Sequence, residues 1–341
     1  VAIDHLAIGK SLYPTIAVTG LRVANPDWAS RRTLVSVRSA SVRLDLVALI
    51  YGEIEIGSVE VQGVDLLLER DGNGAGNWVF ASGESRSGGT GAPKLPGFDE
   101  VAIRDAQIGW RGQGGSVTDV RIESVDAELP ADKPFELEAT VVYLHVPIEA
   151  NLTASTSLGD ALSGQPVSAS IGLRALDARA NLELALRNLL DLSELSANFA
   201  ANGQEFDMWS ALIDRPLPAW GPYRVSGRAD YASGRVRLDN LRLSVDGMSD
   251  TTPLTLSRVE IDSGTVTVGQ SIPTSVQLAG SLDESRFSLD LTTAELARLS
   301  PPAESIPVTS RVTLDDFELG AEGAIRLPAD SWGIELATYI K

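Results

Sequence analysis

Apolar and polar residues alternate along most of this chain, in short runs punctuated by turn-forming residues. One spacing recurs: apolar, any, apolar, two spacers, apolar, any, apolar. It is found at Ile54-Glu-Ile56-Gly-Ser-Val59-Glu-Val61, Val101-Ala-Ile103-Arg-Asp-Ala106-Gln-Ile108 and Val120-Arg-Ile122-Glu-Ser-Val125-Asp-Ala127. It returns at Val236-Arg-Leu238-Asp-Asn-Leu241-Arg-Leu243 and Val312-Thr-Leu314-Asp-Asp-Phe317-Glu-Leu319, with a weaker relative at Val259-Glu-Ile261-Asp-Ser-Gly264-Thr-Val266. Strict alternation gives a strand one apolar and one polar face. The two spacers shift the parity by one, so a flat strand would throw its second half onto the wrong side. A bulge or corner at the spacers restores the face, and the Gly, Ser, Asp and Asn found there suit one. Corners repeated from strand to strand bend a sheet around its apolar side.

Plain alternation fills much of the rest, as in Phe135–Val141, Val167–Leu173 and Phe287–Leu291. Helical pattern is brief: Leu46–Ile50, Glu205–Ile213 and Ala294–Leu299 each allow about two turns, enough to cap a curled sheet but too little for a second layer. The pattern predicts an all-β chain, a curled, mostly antiparallel sheet with a few short helices. Two breaks divide it. Residues 82–96 are rich in Gly, Ser and Pro and read as a linker loop. Three prolines within Arg215–Pro222 prevent regular structure there. The expected modules are residues 1–81, 97–214 (ending in a short helix) and 215–341.

Composition fits this picture: 43% apolar and 22% charged residues, with 31 glycines and 17 prolines, describe a folded chain of many turns. The net charge of −18 disfavours nucleic acid and gains nothing from an anionic bilayer surface. Contact with lipid would go through apolar surface. Without cysteine there are no disulfides or thiolate metal sites. No run of residues is long and apolar enough for a membrane span. The opening Val1–Ile8 reads as a strand in progress, so the sequence is expected to be a fragment of a longer chain.

Candidate chemistry is thin. Asp71-Gly-Asn73-Gly-Ala75-Gly76-Asn77 resembles part of a calcium loop, but the fifth and twelfth ligand positions hold Ala75 and Ser82, and a hairpin turn explains the residues better. His5 and His145 have no nucleophile or orienting acid at a recognisable spacing. The pairs Asp315-Asp316 and Asp99-Glu100 would point to opposite faces of a strand, which defeats the paired-carboxylate geometry of glycoside hydrolysis. Trp28, Trp78, Trp110, Trp209, Trp220 and Trp332 sit mostly beside turns, where they would fill corners or meet sugar or lipid. No phosphate cradle precedes a long helix. No catalytic, cofactor or metal residue is assigned.

The first eighty residues resemble a known family. Gly20-Leu-Arg-Val-Ala-Asn25-Pro-Asp-Trp-Ala, the Leu46–Gly52 turn, Ile54–Leu68 and Glu69-Arg-Asp-Gly72 through Gly76-Asn-Trp-Val-Phe80 are similar to the N-terminal part of AsmA-like proteins. Phe206-Asp-Met-Trp through Pro216-Leu-Pro-Ala-Trp-Gly-Pro-Tyr223 is similar to that family's later helix-and-proline junction. The resemblance implies a groove of curled β-sheet akin to TamB, in the periplasm, with the parent chain held in the inner membrane by an N-terminal helix absent here. It implies phospholipid transport between the membranes and outer-membrane biogenesis, with phospholipid acyl chains and envelope proteins as partners. Ile54, Ile56, Val59, Val61, Leu66, Leu68, Val236, Leu238, Leu241 and Leu243 are expected to line the groove. Whether that groove is open or filled by its own side chains, as in a scaffold protein, the pattern leaves open. A polysaccharide-active enzyme is the remaining alternative.

Overall fold

The computed structural model describes residues 1–47, 55–72, 76–78, 97–111, 117–131, 133–189, 191–213, 217, 219–247, 256–269, 271–295, 306–326 and 333–340. Backbone contacts divide the chain into two compact units, Val1–Ser163 and Gly164–Lys341. The first holds β1 (His5–Ile8), β2 (Thr15–Ala24), β3 (Thr33–Asp45), β4 (Glu55–Glu69), β5 (Gly97–Arg111), β6 (Val117–Glu128), β7 (Glu136–Tyr143), β8 (Val146–Ala154) and a short helix, Leu158–Leu162. The second holds β9 (Val167–Ala175), β10 (Ala178–Asn188), β11 (Asp191–Gly203), β12 (Tyr223–Ala232), β13 (Arg235–Asp246), β14 (Arg258–Gly269), β15 (Pro273–Leu282), β16 (Ser285–Glu295), β17 (Ile306–Leu314), β18 (Phe317–Arg326) and β19 (Gly333–Ile340). The chain is all-β and mostly antiparallel, as the alternation requires.

In each unit every strand pairs with the next in sequence. The exception in direction is β4–β5, which is parallel, from Glu55↔Gly97 to Glu69↔Arg111. The module boundaries expected around residues 82–96 and at 214 therefore lie between strands that pair, β4 with β5 and β11 with β12. Several antiparallel strands turn through two residues whose first or second member has positive φ, among them Leu144-His145, Ser233-Gly234 and Asp283-Glu284. Such turns match the twist of the strands they join.

The spacers behave as corners in five of the six motif copies. Register shifts fall at Gly57, Glu123 and Asp262, while Asp105 and Asn240 adopt φ of 54° and 53°. The sixth copy is a correction. Asp315-Asp316 is a hairpin turn between β17 and β18, with Leu314 paired directly to Phe317. Its carboxylate is spent on structure: Asp315 Oδ1 accepts the Arg286 N–H at 2.8 Å. A second correction concerns Ala294–Leu299, where Ala294 and Glu295 continue β16 instead of opening a helix; residues 296–299 lie outside the described residues.

In the first unit the corners line up. Pairing steps over Gly20 opposite Arg38, Arg38 opposite Gly63, Gly63 beside Asp105, and Asp105 opposite Glu123. The line crosses β2 to β6 and ends in the one-sided bulge at Glu123, because β7 alternates without interruption. Gly63, at φ 67°, has no room for a side chain: a Cβ there would lie 2.7 Å from Arg38 Cβ. Arg38 passes over it to Asp105 at 3.2 Å, an exposed ion pair worth at most about 1 kcal/mol. The backbone conformations, not the charges, hold the bend.

Candidate functional site

The aligned corners keep one face apolar along the whole length of each strand. Direct pairings give a first row of Ile16, Val42, Val59, Val101, Ala127, Leu137 and Leu152, one from each of β2 to β8. The second row runs from Val18 through Val61 and Ile103 to Ala150, and the third, beyond the corner, from Leu21 through Val64 to Ile148. The fourth runs from Val23 through Leu66 and Ile108 to Val146. Every position in these four rows is apolar. The reverse face carries Ser41, Glu60, Asp126, Glu138 and Asn151 in one row, as an amphipathic sheet should.

Among the described residues this wall has lateral neighbours but no covering layer. Ala106, Ala127, Val37 and Val146 are buried, and every other member is only partly so. The inner face of a sandwich would bury nearly all of them. Seven strands at about 4.8 Å and four rows two residues apart give an area of roughly 30 by 20 Å. The hydrocarbon layer of one membrane leaflet is about 15 Å deep, half of the ~30 Å core.

The predicted lining residues fall in two sets. Ile56, Val59, Val61, Leu66 and Leu68 lie on this face of β4, all partly buried. Ile54 lies outside the described residues. In the second unit, Val236 pairs with Tyr231 and Val268, Leu238 with Ala229 and Val266, and Leu243 with Val225 and Ile261. Leu241 sits at the corner, against Gly264. Val236 is 40% exposed and the others partly buried. The apolar rows of β5 to β8 were visible as alternating segments, yet their place on the same wall depends on register.

Two structures end these walls. In the first unit the chain leaving β4 folds back at Arg70↔Gly76. Asn77, 1% exposed, then acts as a strand partner for β4: its N–H donates to Glu69 O at 2.9 Å, and its Oδ1 accepts the Glu69 N–H at 3.0 Å. Its Nδ2 donates to Leu67 O at 2.8 Å and to Asn25 Oδ1 at 3.0 Å. The Glu69 carboxylate, on the polar face, accepts the Ser30 N–H at 2.8 Å and the Ser30 hydroxyl, and pairs with Arg111 at 3.2 Å. This clasp sets Trp78 against Trp110 with ring centroids 5.3 Å apart. The Arg70 guanidinium lies 5.6 Å and 5.7 Å from the two rings. Gly76 is needed here, since a Cβ would overlap the Trp78 indole. The motif predicted as a hairpin turn lies between the antiparallel partners Arg70 and Gly76, and the residues after it add the clasp; Asn73 and Ala75 lie outside the described residues.

In the second unit the Glu205–Ile213 segment forms a 3-10 turn, Phe206–Trp209, followed by the helical turn Ser210–Ile213. Phe206, Trp209, Trp220 and Leu243 pack on buried Ala178, Tyr223 and Val245. The Trp209 indole N–H donates to the Tyr223 hydroxyl. Burial pushes the Tyr223 phenol above its ordinary 10.0, against the hydrogen bond from Trp209, which lowers it. This end is plugged.

A concavity of about 590 Å³ lies mainly among polar-face residues of β11 to β14. It brings Arg224 and Arg242 together with Glu260 and Asp262, two charges of each sign, so it selects neither cations nor anions. His5 and His145 are exposed, the second in the β7–β8 turn. Among the described residues no cluster of three or more His, Asp or Glu suits a metal ion, and no helix is long and apolar enough to cross a membrane.

No curated protein and no solved structure matches the chain. Residues 5–87 match the model of the AsmA family. They span β1 to β4 and the clasp at Arg70–Trp78, and over that stretch the chain is AsmA-like.

Proposed function

We propose that this chain is a non-catalytic, lipid-handling protein of the bacterial envelope, whose uncovered apolar walls take up phospholipid acyl chains. The observation that carries the reading is the four apolar rows across β2 to β8, only partly buried and with no covering layer among the described residues. A fully buried methylene gains about 0.8 kcal/mol, so a sixteen-carbon chain lying half covered on the wall gains on the order of 6 kcal/mol. That interaction is non-directional and fits a surface that offers no polar selectivity. The acidic reverse face stays in water and keeps the chain from an anionic bilayer surface, so lipid would meet the wall alone. The AsmA-like N-terminal segment supports a place in the periplasm, with the parent protein anchored in the inner membrane and phospholipid passing between the membranes.

A scaffold for outer-membrane biogenesis is the competing reading. It requires walls filled by the protein's own side chains, and the partial exposure of Val59, Val61 and Leu66 weighs against it. Photo-crosslinkers placed at Val61 and Leu241 should capture phospholipid in cells, whereas those at Glu60 and Arg242 on the reverse face should not. Capture at Glu60 and Arg242 alone would defeat the assignment.

A further inference from the structure

The first-unit wall has a chemically distinct end. Leu68 and Trp110 pair across β4 and β5 on the apolar face, and Arg70 follows two residues later on the same parity. Trp110 is 39% exposed and Arg70 is exposed, so this end is open. Glu69 and Arg111 point to the opposite face and pair with each other. Among the described residues no carboxylate pairs with Arg70, whose partners are the two indole rings. A guanidinium held near two ring faces by cation–π attraction forms no ion pair there, and its planar fork of N–H donors matches phosphate oxygens in bidentate fashion. Indoles with an apolar body and an N–H tip suit the boundary between hydrocarbon and water.

We propose that Arg70, Trp78 and Trp110 form a headgroup site, which binds the phosphate of an amphiphile whose acyl chain lies on the wall over Leu68, Ile108 and Leu66. The inference rests on the acyl-binding reading above and gives it an orientation: the head lies at the clasp and the tail runs toward the corner line. Asn77 acts as a positioning residue. It fixes Gly76 to Trp78 against the end of β4, and so holds the indole within cation–π range of the guanidinium. The cation supplies charge complementarity that the rest of the wall lacks.

Two probes of equal chain length separate head from tail: dodecyl phosphate and dodecyl maltoside, each titrated below its micellar concentration against the full chain. Arg70→Gln should weaken dodecyl phosphate about tenfold or more, the loss expected for a charged hydrogen bond, and leave dodecyl maltoside within about twofold. Ile103→Asn, in the middle of the wall, should weaken both. Equal effects of Arg70→Gln on the two probes, or none on dodecyl phosphate, would overturn the headgroup site while leaving the wall intact. Failure of either probe to bind the wild-type chain, or indifference of both to Ile103→Asn, would instead remove the acyl reading on which the site rests. Inorganic phosphate should compete only weakly. Displacement of dodecyl phosphate by inorganic phosphate at comparable concentration would show a free-phosphate site and overturn the proposal.

Discussion

Tyr223 in the second unit and Trp110 in the first both stand where an apolar row reaches the end of its sheet. Around Tyr223 the chain folds over the row. Phe206, Trp209 and Trp220 cover it, the hydroxyl is satisfied from within by the Trp209 indole, and the residue is 4% exposed. Around Trp110 the chain folds beside the row. Asn77 satisfies the backbone of β4, and Trp78 and Arg70 meet Trp110 at the rim. Aromatic residues in similar positions thus serve as core in one place and as an open rim in the other. What separates the cases is whether the neighbouring segment lays its side chains over the ring: Phe206, Trp209 and Trp220 pack around Tyr223, while Trp110 stays 39% exposed beside Trp78.

The largest test of this contrast is truncation. Tyr223→Ala removes a buried aromatic and leaves the Trp209 N–H without its partner, so the second unit should lose about 3–5 kcal/mol in denaturant unfolding. Trp110→Ala removes a ring already in contact with water and should cost about half as much or less. Equal losses would break the distinction between plug and rim. Next comes Asn77→Ala, which strands the Glu69 N–H and the Leu67 carbonyl. It should cost about 2–3 kcal/mol and free the Trp78–Trp110 pair, read as a red shift of tryptophan emission. An unchanged spectrum would mean the indoles keep their contact without the clasp.

The smallest effect is a pH dependence. Tyr223 holds its proton more tightly in the folded chain than the ordinary 10.0 of an unfolded tyrosine. Its contribution is therefore fully present below pH 10.0 and is lost as pH rises through the higher folded value. Wild-type stability should fall with rising pH above 10.0, until the folded value is passed, more steeply than that of Tyr223→Phe. Parallel curves would show that the phenol is not buried in its neutral form.

Much of the fold could be read from linear order. Alternation placed the strands, and Gly57, Asp105, Glu123, Asn240 and Asp262 took up the corner role their spacer positions demanded. Three more copies of the spacing, around Gly20, Arg38 and Gly63, became apparent only once pairing showed that they lie on one line. Asp315-Asp316 has the same local pattern and became a hairpin turn, because a two-residue interruption between apolar dipeptides satisfies either outcome. Likewise, Ala294-Glu295 can serve a helix or a strand, and pairing with β15 decided for the strand.

By itself, then, the sequence determined an all-β chain with apolar-faced strands that bend at polar spacers, since side-chain parity and turn chemistry act over a few neighbouring residues. Only the tertiary structure decided that β4 and β5 run parallel, that the corners align, that no described segment covers the wall and that Arg70 meets Trp78 of the clasp and Trp110 of β5. Each of these depends on register between segments far apart in the chain. Register is fixed by pairing energy summed over whole strands, a quantity no local window contains.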